Sequence, residues 1–244
     1  MSFAKFLTAT GVAYRKTAPA VCPCCGVKAP AYRTAGLFFG RRLAPRNDLF
    51  CGACLSAARH AALARAVLAS AGAGSPGALA AALKKKGLKV FDAGWPPLFR
   101  VPGLAGPRYA VSGYGLPAGL RSQKGLRREN LERLSFADNS FDLVITADVL
   151  EHVGDLKAAL FEIARVLKPG GRHVFTVPVN FSAVRTVPAR PGGPHLDGLG
   201  GDAPAVRDFG ADAQAILSRP LPCSFRRLRE RGTYVHVFEC VKPV

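Results

Sequence analysis

The stretch SFADNSFDLVITADVLEHVGDLKAALFEIARVLKPGGRHVFTV, residues 135–177, decides the fold. Its segment Phe141 to Ala147 (FDLVITA) is apolar on both faces. That is the pattern of a central strand in a parallel sheet, which is covered on both sides. Residues 155–167 (DLKAALFEIARVL) change to helical periodicity, with Asp155 near the start and Lys168-Pro169-Gly170-Gly171 as a stop. Arg172 to Val177 reads as the next strand. Strand, helix, strand in this order predicts a right-handed parallel crossover. Glu162 and Arg165, three residues apart, are expected to pair on the exposed helix face, and Asp142 to order the entry of its strand.

Outward from this unit the alternation continues. Leu88 to Ala93 is a short apolar strand, Arg108 to Tyr114 a weaker one, and residues 125–131 a third candidate. Residues 55–72 are Ala- and Leu-rich with helical periodicity. Residues 78–86 form another helix, closed by Gly87 in the left-handed position that ends helices. Residues 1–20 read as a short helix and a linker. Residues 180–210 are rich in Gly and Pro and read as a long loop. A short helix is expected at 211–217, and Cys223 to Val241 reads as a hairpin turning at Arg231-Gly232.

The chain has 244 residues, enough for one full-sized domain and a small appendage. We divide it into an N-terminal segment with a metal-binding module, residues 1–60, and a main domain, residues 61–244. Hydrophobic residues make up 49% and charged residues 20%, a globular balance. The net charge of +18 favours anionic partners, nucleic acid among them. The densest basic runs, Lys84-Lys85-Lys86 and Arg226 to Arg231, lack the interleaved aromatics of an RNA-binding motif. No run of about 18 apolar residues is present, so no membrane-spanning helix is expected. MSFAKFLTATGVAYRK has no signal-peptide core, and the expected location is the cytoplasm.

Seven cysteines do not suit a secreted disulfide framework. Four of them form two C-x₂-C pairs, Cys22 with Cys25 and Cys51 with Cys54. Each pair brings two thiolates to one ion from a tight turn, and two such turns make a tetrahedral S₄ site suited to zinc. Cys24 is surplus, and the register of the second pair selects Cys22 and Cys25. Four thiolates leave no open position, so the zinc is expected to be structural.

The residues FDLV at 141–144, LEHV at 150–153 and LKPGG at 167–171 together resemble class I S-adenosylmethionine-dependent methyltransferases of the methyltransferase domain 11 type. Cys51 to His60 also looks like the zinc knuckle and following helix found ahead of some bacterial members, and Arg207-Asp208-Phe209-Gly210 like a stretch that follows their substrate loop. The resemblance implies an α/β fold, a Rossmann-like doubly wound sheet of seven strands with an antiparallel hairpin at one edge. It implies S-adenosylmethionine across the strand ends, held by Asp92, Ala93, Gly94, Gly113, Tyr114, Glu129, Asn130, Leu131, Asp148 and Val149. His152 is the implied base or substrate contact; His195 and Asp197 are a second pair to consider.

The chain departs from the family pattern at three places. Asp92 and Gly94 fit the first motif, but Trp95, Pro96 and Pro97 replace its later glycines. Gly113 stands where an acid usually takes the ribose hydroxyls. Asn130 stands where an Asp usually precedes Leu131. Two functions follow as expectations: a methyltransferase for a small-molecule or glycan acceptor, or a scaffold on the same fold that has lost the cofactor and binds a partner through its zinc module and basic surface. No N-P-P-Y motif marks a nucleic-acid methyltransferase.

Overall fold

The structure is a computed structural model, and it describes residues 14–33, 37–38, 41–42, 49–94, 97–101, 104, 106–112, 126–189 and 204–244. Its centre is a seven-stranded sheet. In chain order the strands are β1 (Val90–Asp92), β2 (Tyr109–Ser112), β3 (Leu126–Arg127), β4 (Phe141–Ala147), β5 (Leu167–Thr176), β6 (Cys223–Glu230) and β7 (Thr233–Val241). In space they lie in the order β3-β2-β1-β4-β5-β7-β6. The first five run parallel, and β7 and β6 close one edge as an antiparallel hairpin. This is the Rossmann-like, doubly wound sheet of the class I methyltransferase fold, as the sequence led us to expect.

Successive residues of each strand face opposite sides, so each central strand feeds two cores. Val90, Leu143, Ile145, Val174 and Val237 pack into the first. Helix α1 (Ala58–Ser70) and helix α2 (Pro76–Lys85) cover that face. Phe91, Val144, Phe175 and Phe238 pack into the second, under helix α3 (Leu156–Val166) and the short helix α4 (Ala213–Leu217). The helix signals act as read. Asp155 caps α3 by accepting from the Ala158 N–H at 2.9 Å, and Gly87 takes φ +69° just beyond α2. Glu162 and Arg165 pair at 2.7 Å, and the same guanidinium also holds Asp138 and the carbonyls of Leu134 and Phe136. Asp142 accepts from the Lys89 N–H and pairs with Lys168, fixing the entry of β4.

Several expectations change. The stop Lys168-Pro169-Gly170-Gly171 ends α3 but belongs to β5, which begins at Leu167. The pairing with β4 jumps from Phe141↔Leu167 to Leu143↔Arg172, so these residues bulge out of the ladder. Lys242 stitches the bulge: Gly170 donates to its carbonyl and its own N–H donates to Gly171, both at 2.9 Å. The long loop carries a small hairpin, Val187–Pro188 against Arg207–Asp208. Residues 190–203, with His195 and Asp197, lie outside the described residues, as does the helix expected near the N-terminus. Cys223 and Cys240, opposite one another in β6 and β7, are joined as a disulfide. At the free edge, β6 exposes Arg226, Arg227 and Arg229, with Arg227 stacked 3.8 Å over the Tyr234 ring. Among the described residues no helix is long and apolar enough to cross a membrane.

The bulge gives a direct test. A Cβ on Gly171 would stand 2.7 Å from the Lys168 carbonyl oxygen. Gly171→Ala should therefore cost about 1–3 kcal/mol, read as a lower urea midpoint with an unchanged slope.

Candidate functional site

Because β1, β2, β4 and β5 are parallel, their carboxyl ends share one edge of the sheet. That edge carries Asp92, Ser112, Asp148 and Thr176. Open α/β sheets take their ligands there.

Asp92 is 1% exposed. Its Oδ2 accepts from the Leu98 N–H and the Tyr109 hydroxyl, each at 2.7 Å. Its Oδ1 is buried with no hydrogen-bond partner among the described residues and would lie 3.6 Å from a Cβ built on Gly94. Burial pushes the carboxyl up to about 7, against the pull of those two donors and of the Arg100 charge. Ala93 is buried beside it, its N–H bonded to Ile145 of β4. Trp95 and Pro96 lie outside the described residues, as do Gly113 and Tyr114.

At the next strand end, the buried Ser112 hydroxyl accepts from the Glu129 N–H at 3.0 Å. The Glu129 carboxylate accepts from the Ser135 N–H and hydroxyl and pairs with Arg127. Asn130 is exposed, and its Oδ1 accepts from the Glu132 N–H in a turn. Leu131 is buried in the second core. Glu129, Asn130 and Leu131 thus form a turn beside β2, with the two polar side chains already engaged within it.

The loop after β4 is fixed from three directions. Asp148 has φ +53°, a conformation that non-glycine residues adopt where surroundings impose it. Its Oδ1 accepts from the Thr176 hydroxyl at 2.7 Å, and its Oδ2 pairs with Arg59 Nε of α1 at 3.1 Å. Val149 packs against the second core, and Leu150 is fully buried. Glu151 and His152 are adjacent, with Oε1 and Nε2 3.8 Å apart. Arg207 then grips the loop from the small hairpin, donating to the carbonyls of Leu150 and Gly154. Burial lowers the Arg207 guanidinium, opposed by Glu151, Glu132 and Asp155. Sequence reasoning missed Arg59, Thr176 and the grip of Arg207. For Arg207 the resemblance of the RDFG stretch was a usable signal; for Arg59 only its position just after the second cysteine pair was.

The N-terminal module lies against the first core. Strands Arg15–Lys16, Ala31–Arg33 and Leu49–Cys51 form a small antiparallel sheet, and Ala20–Val21 pairs with Lys28–Ala29 around the first cysteine turn. The Sγ atoms of Cys22, Cys25, Cys51 and Cys54 all lie within 4.8 Å of one another, and Cys22 to Cys54 is 3.9 Å. Four sulfurs around a tetrahedral zinc, each about 2.3 Å from it, stand about 3.8 Å apart, so the cluster has the dimensions of such a site. The Ala53 N–H points at Cys51 Sγ at 3.4 Å, and the Ser56 hydroxyl lies 3.1 Å from Cys54 Sγ. Such outer contacts orient thiolates toward an ion. Cys24 is fully buried and stays outside the four.

Comparison with known proteins finds methyltransferases over part of the chain. A family described as methyltransferase domain matches residues 116–175, which span β3 to β5. Dimethylglycine N-methyltransferase of Parasynechococcus marenigrum is 44% identical over 62 residues, 25% of this chain and 22% of that protein. Demethylmenaquinone methyltransferase of Lactiplantibacillus plantarum is 53% identical over 49 residues, 20% of this chain and 21% of that protein. The chain thus matches about a fifth of the length of these relatives. Among solved structures, the 1,6-didemethyltoxoflavin-N1-methyltransferase of Burkholderia thailandensis, with S-adenosylhomocysteine bound, covers 68% of this chain and 76% of its own, at 17% identity and TM-score 0.39.

The buried Asp92 predicts a pH signature. A carboxyl raised from 3.8 to about 7 holds its proton in the folded state where the unfolded chain has released it. Its contribution to stability is fully present below the lower value and is lost as pH rises through the upper one. Asp92→Asn should therefore gain in melting temperature on the native protein as pH rises from 4 to 7, and melt higher than it at pH 8. Parallel melting curves across pH 5 to 8 would show that Asp92 is not the titrating group.

Proposed function

We propose that this protein is an S-adenosylmethionine-dependent methyltransferase acting on a small-molecule or glycan acceptor, with a structural zinc ion held by Cys22, Cys25, Cys51 and Cys54. The observation that carries the reading is the Asp92–Gly94 corner. A fully buried carboxylate with one oxygen unpartnered among the described residues abuts a glycine at the carboxyl end of β1, on the same edge as the Asp148–His152 loop. A buried acceptor without a donor is costly unless something completes it, and this one stands at the position where the family's first motif meets the cofactor. The matched methyltransferase segment, residues 116–175, includes the neighbouring end of β4 and the Asp148–His152 loop.

When bound, the cofactor supplies an electrophilic methyl group. The chain's own part is to bind, orient and exclude water. Asp92, Ala93 and Gly94 would line the amino-acid end of the cofactor, Gly113 and Tyr114 the ribose, and Glu129, Asn130 and Leu131 the adenine side. Asp148 and Val149 would close the cleft from β4. Asp148 acts by shape: with both oxygens engaged, it holds the loop that presents His152. His152 Nε2 next to the Glu151 carboxylate is suited to receive a proton from the acceptor, since the carboxylate stabilises the imidazolium that forms. Positioning of this kind accounts for much of the rate in a displacement reaction.

The scaffold reading keeps one specific support. Ser112 and Glu129 are engaged with each other and with Ser135 and Arg127, and Gly113 brings no carboxylate to the end of β2. The two readings part in calorimetry on the zinc-loaded protein. A methyltransferase should bind S-adenosylmethionine and S-adenosylhomocysteine with micromolar affinity, and Gly94→Leu should abolish both without unfolding the chain. Absence of binding at millimolar ligand, with the protein shown folded, leaves the scaffold. Elemental analysis should find a single equivalent of zinc, lost in Cys51→Ser.

A further inference from the structure

Two contacts run from the thiol module to the carboxyl edge of the sheet, one to each side of the candidate cleft. The first leaves the turn Cys22–Cys25. The Arg100 N–H donates to the Cys24 carbonyl at 3.0 Å. Two residues earlier in the same short segment, the Leu98 N–H donates to Asp92 Oδ2 at 2.7 Å. Leu98 and Phe99, between these two bonds, are buried in the core that also contains Cys22, Cys24 and Cys51. The segment that secures Asp92 is therefore pinned to the cysteine turn.

The second contact leaves the turn Cys51–Cys54. The Cys51 N–H donates to the Ser56 carbonyl at 3.0 Å, and the Leu55 N–H to the Cys51 carbonyl at 2.9 Å. These bonds close the turn directly onto α1, which begins at Ala58. Arg59, in the first turn of that helix, pairs with Asp148 at 3.1 Å, the two side chains 14% and 5% exposed. Asp148 holds the unusual backbone of the loop that carries Glu151 and His152. No long flexible linker intervenes on either path.

From these paths we infer that the metal held by the four cysteines sets the geometry of the cofactor cleft, so that zinc and cofactor bind with positive linkage through Arg59 and the Leu98–Arg100 segment. The inference rests on the methyltransferase reading. Four thiolates within 4.8 Å of one another repel, and a cation that gathers their charge draws the two turns together. Loosening the turns moves the Cys24 carbonyl and the first turn of α1. It thereby loosens the supports of Asp92 and Asp148 at once. Arg59 is a positioning residue here, since it acts on the cleft through Asp148. Linkage is reciprocal, so the cofactor must tighten zinc by the same factor by which zinc tightens the cofactor.

The test measures zinc affinity by competition with a chromogenic chelator, with and without saturating S-adenosylhomocysteine, alongside calorimetry for that ligand. The expected result is zinc bound about fivefold or more tightly when the ligand is present. Arg59→Met keeps the bulk of the side chain and removes its charge. It should retain zinc and ligand binding while the linkage falls to about twofold or less, and Arg59→Lys should restore part of it. If the ligand binds but leaves zinc affinity unchanged, the linkage is overturned and the methyltransferase reading stands. Full linkage persisting in Arg59→Met also overturns the inference, since Arg59 would then carry none of the coupling. No ligand binding at all removes the methyltransferase reading together with the inference built on it.

Discussion

Strand β4 is paired on both sides and covered on both faces, and this constraint organises the rest of the molecule. A strand so placed cannot send any backbone donor or acceptor to water, so it needs partners along its length. Parallel neighbours satisfy it, parallel neighbours need crossovers, and crossovers place helices over both faces. One consequence is chemical. All four central parallel strands stop at the same edge, so side chains distant in sequence, such as Asp92, Ser112, Asp148 and Thr176, become neighbours on one rim.

That rim contains more polarity than a purely structural core would tolerate. Asp92 is buried with one acceptor unsatisfied, and Asp148 is held in left-handed backbone by two partners from different elements. Both features cost stability, and both sit where a ligand would complete or exploit them. The supports come from outside the sheet: from the thiol module through Arg100 and Arg59, and from the small hairpin through Arg207. A bare sheet edge is thereby given walls by the segments that precede and follow it in the chain.

Legibility in the sequence followed the range of the interaction that decides each element. FDLVITA and the α3 periodicity are local signals, and the structure follows them, whereas α2, expected from residue 78, starts at Pro76 with Ser75 as its cap. The cysteine pairs were legible because C-x₂-C spacing is itself a local geometry. The start of β5 was misplaced because Pro169-Gly170-Gly171 reads as an ending, whereas Lys242, far along the chain, supplies the backbone partners that carry the strand through the bulge. The disulfide between Cys223 and Cys240 depends on hairpin register, and the Arg59–Asp148 pair depends on how α1 lies over the sheet. Neither is encoded by spacing. Asp92 and Gly94 could be named from the motif, but only burial revealed that one carboxylate oxygen lacks a donor.

The arginines of β6 have a consequence beyond the fold of a single chain. Among the described residues this strand ends the sheet with an unpaired row of backbone groups, the ordinary template on which a second molecule adds a strand and fibres begin. Arg226, Arg227 and Arg229 are exposed along that row. A second copy laid against it in antiparallel fashion would bring guanidinium groups opposite guanidinium groups. That repulsion would oppose growth of the sheet through this edge.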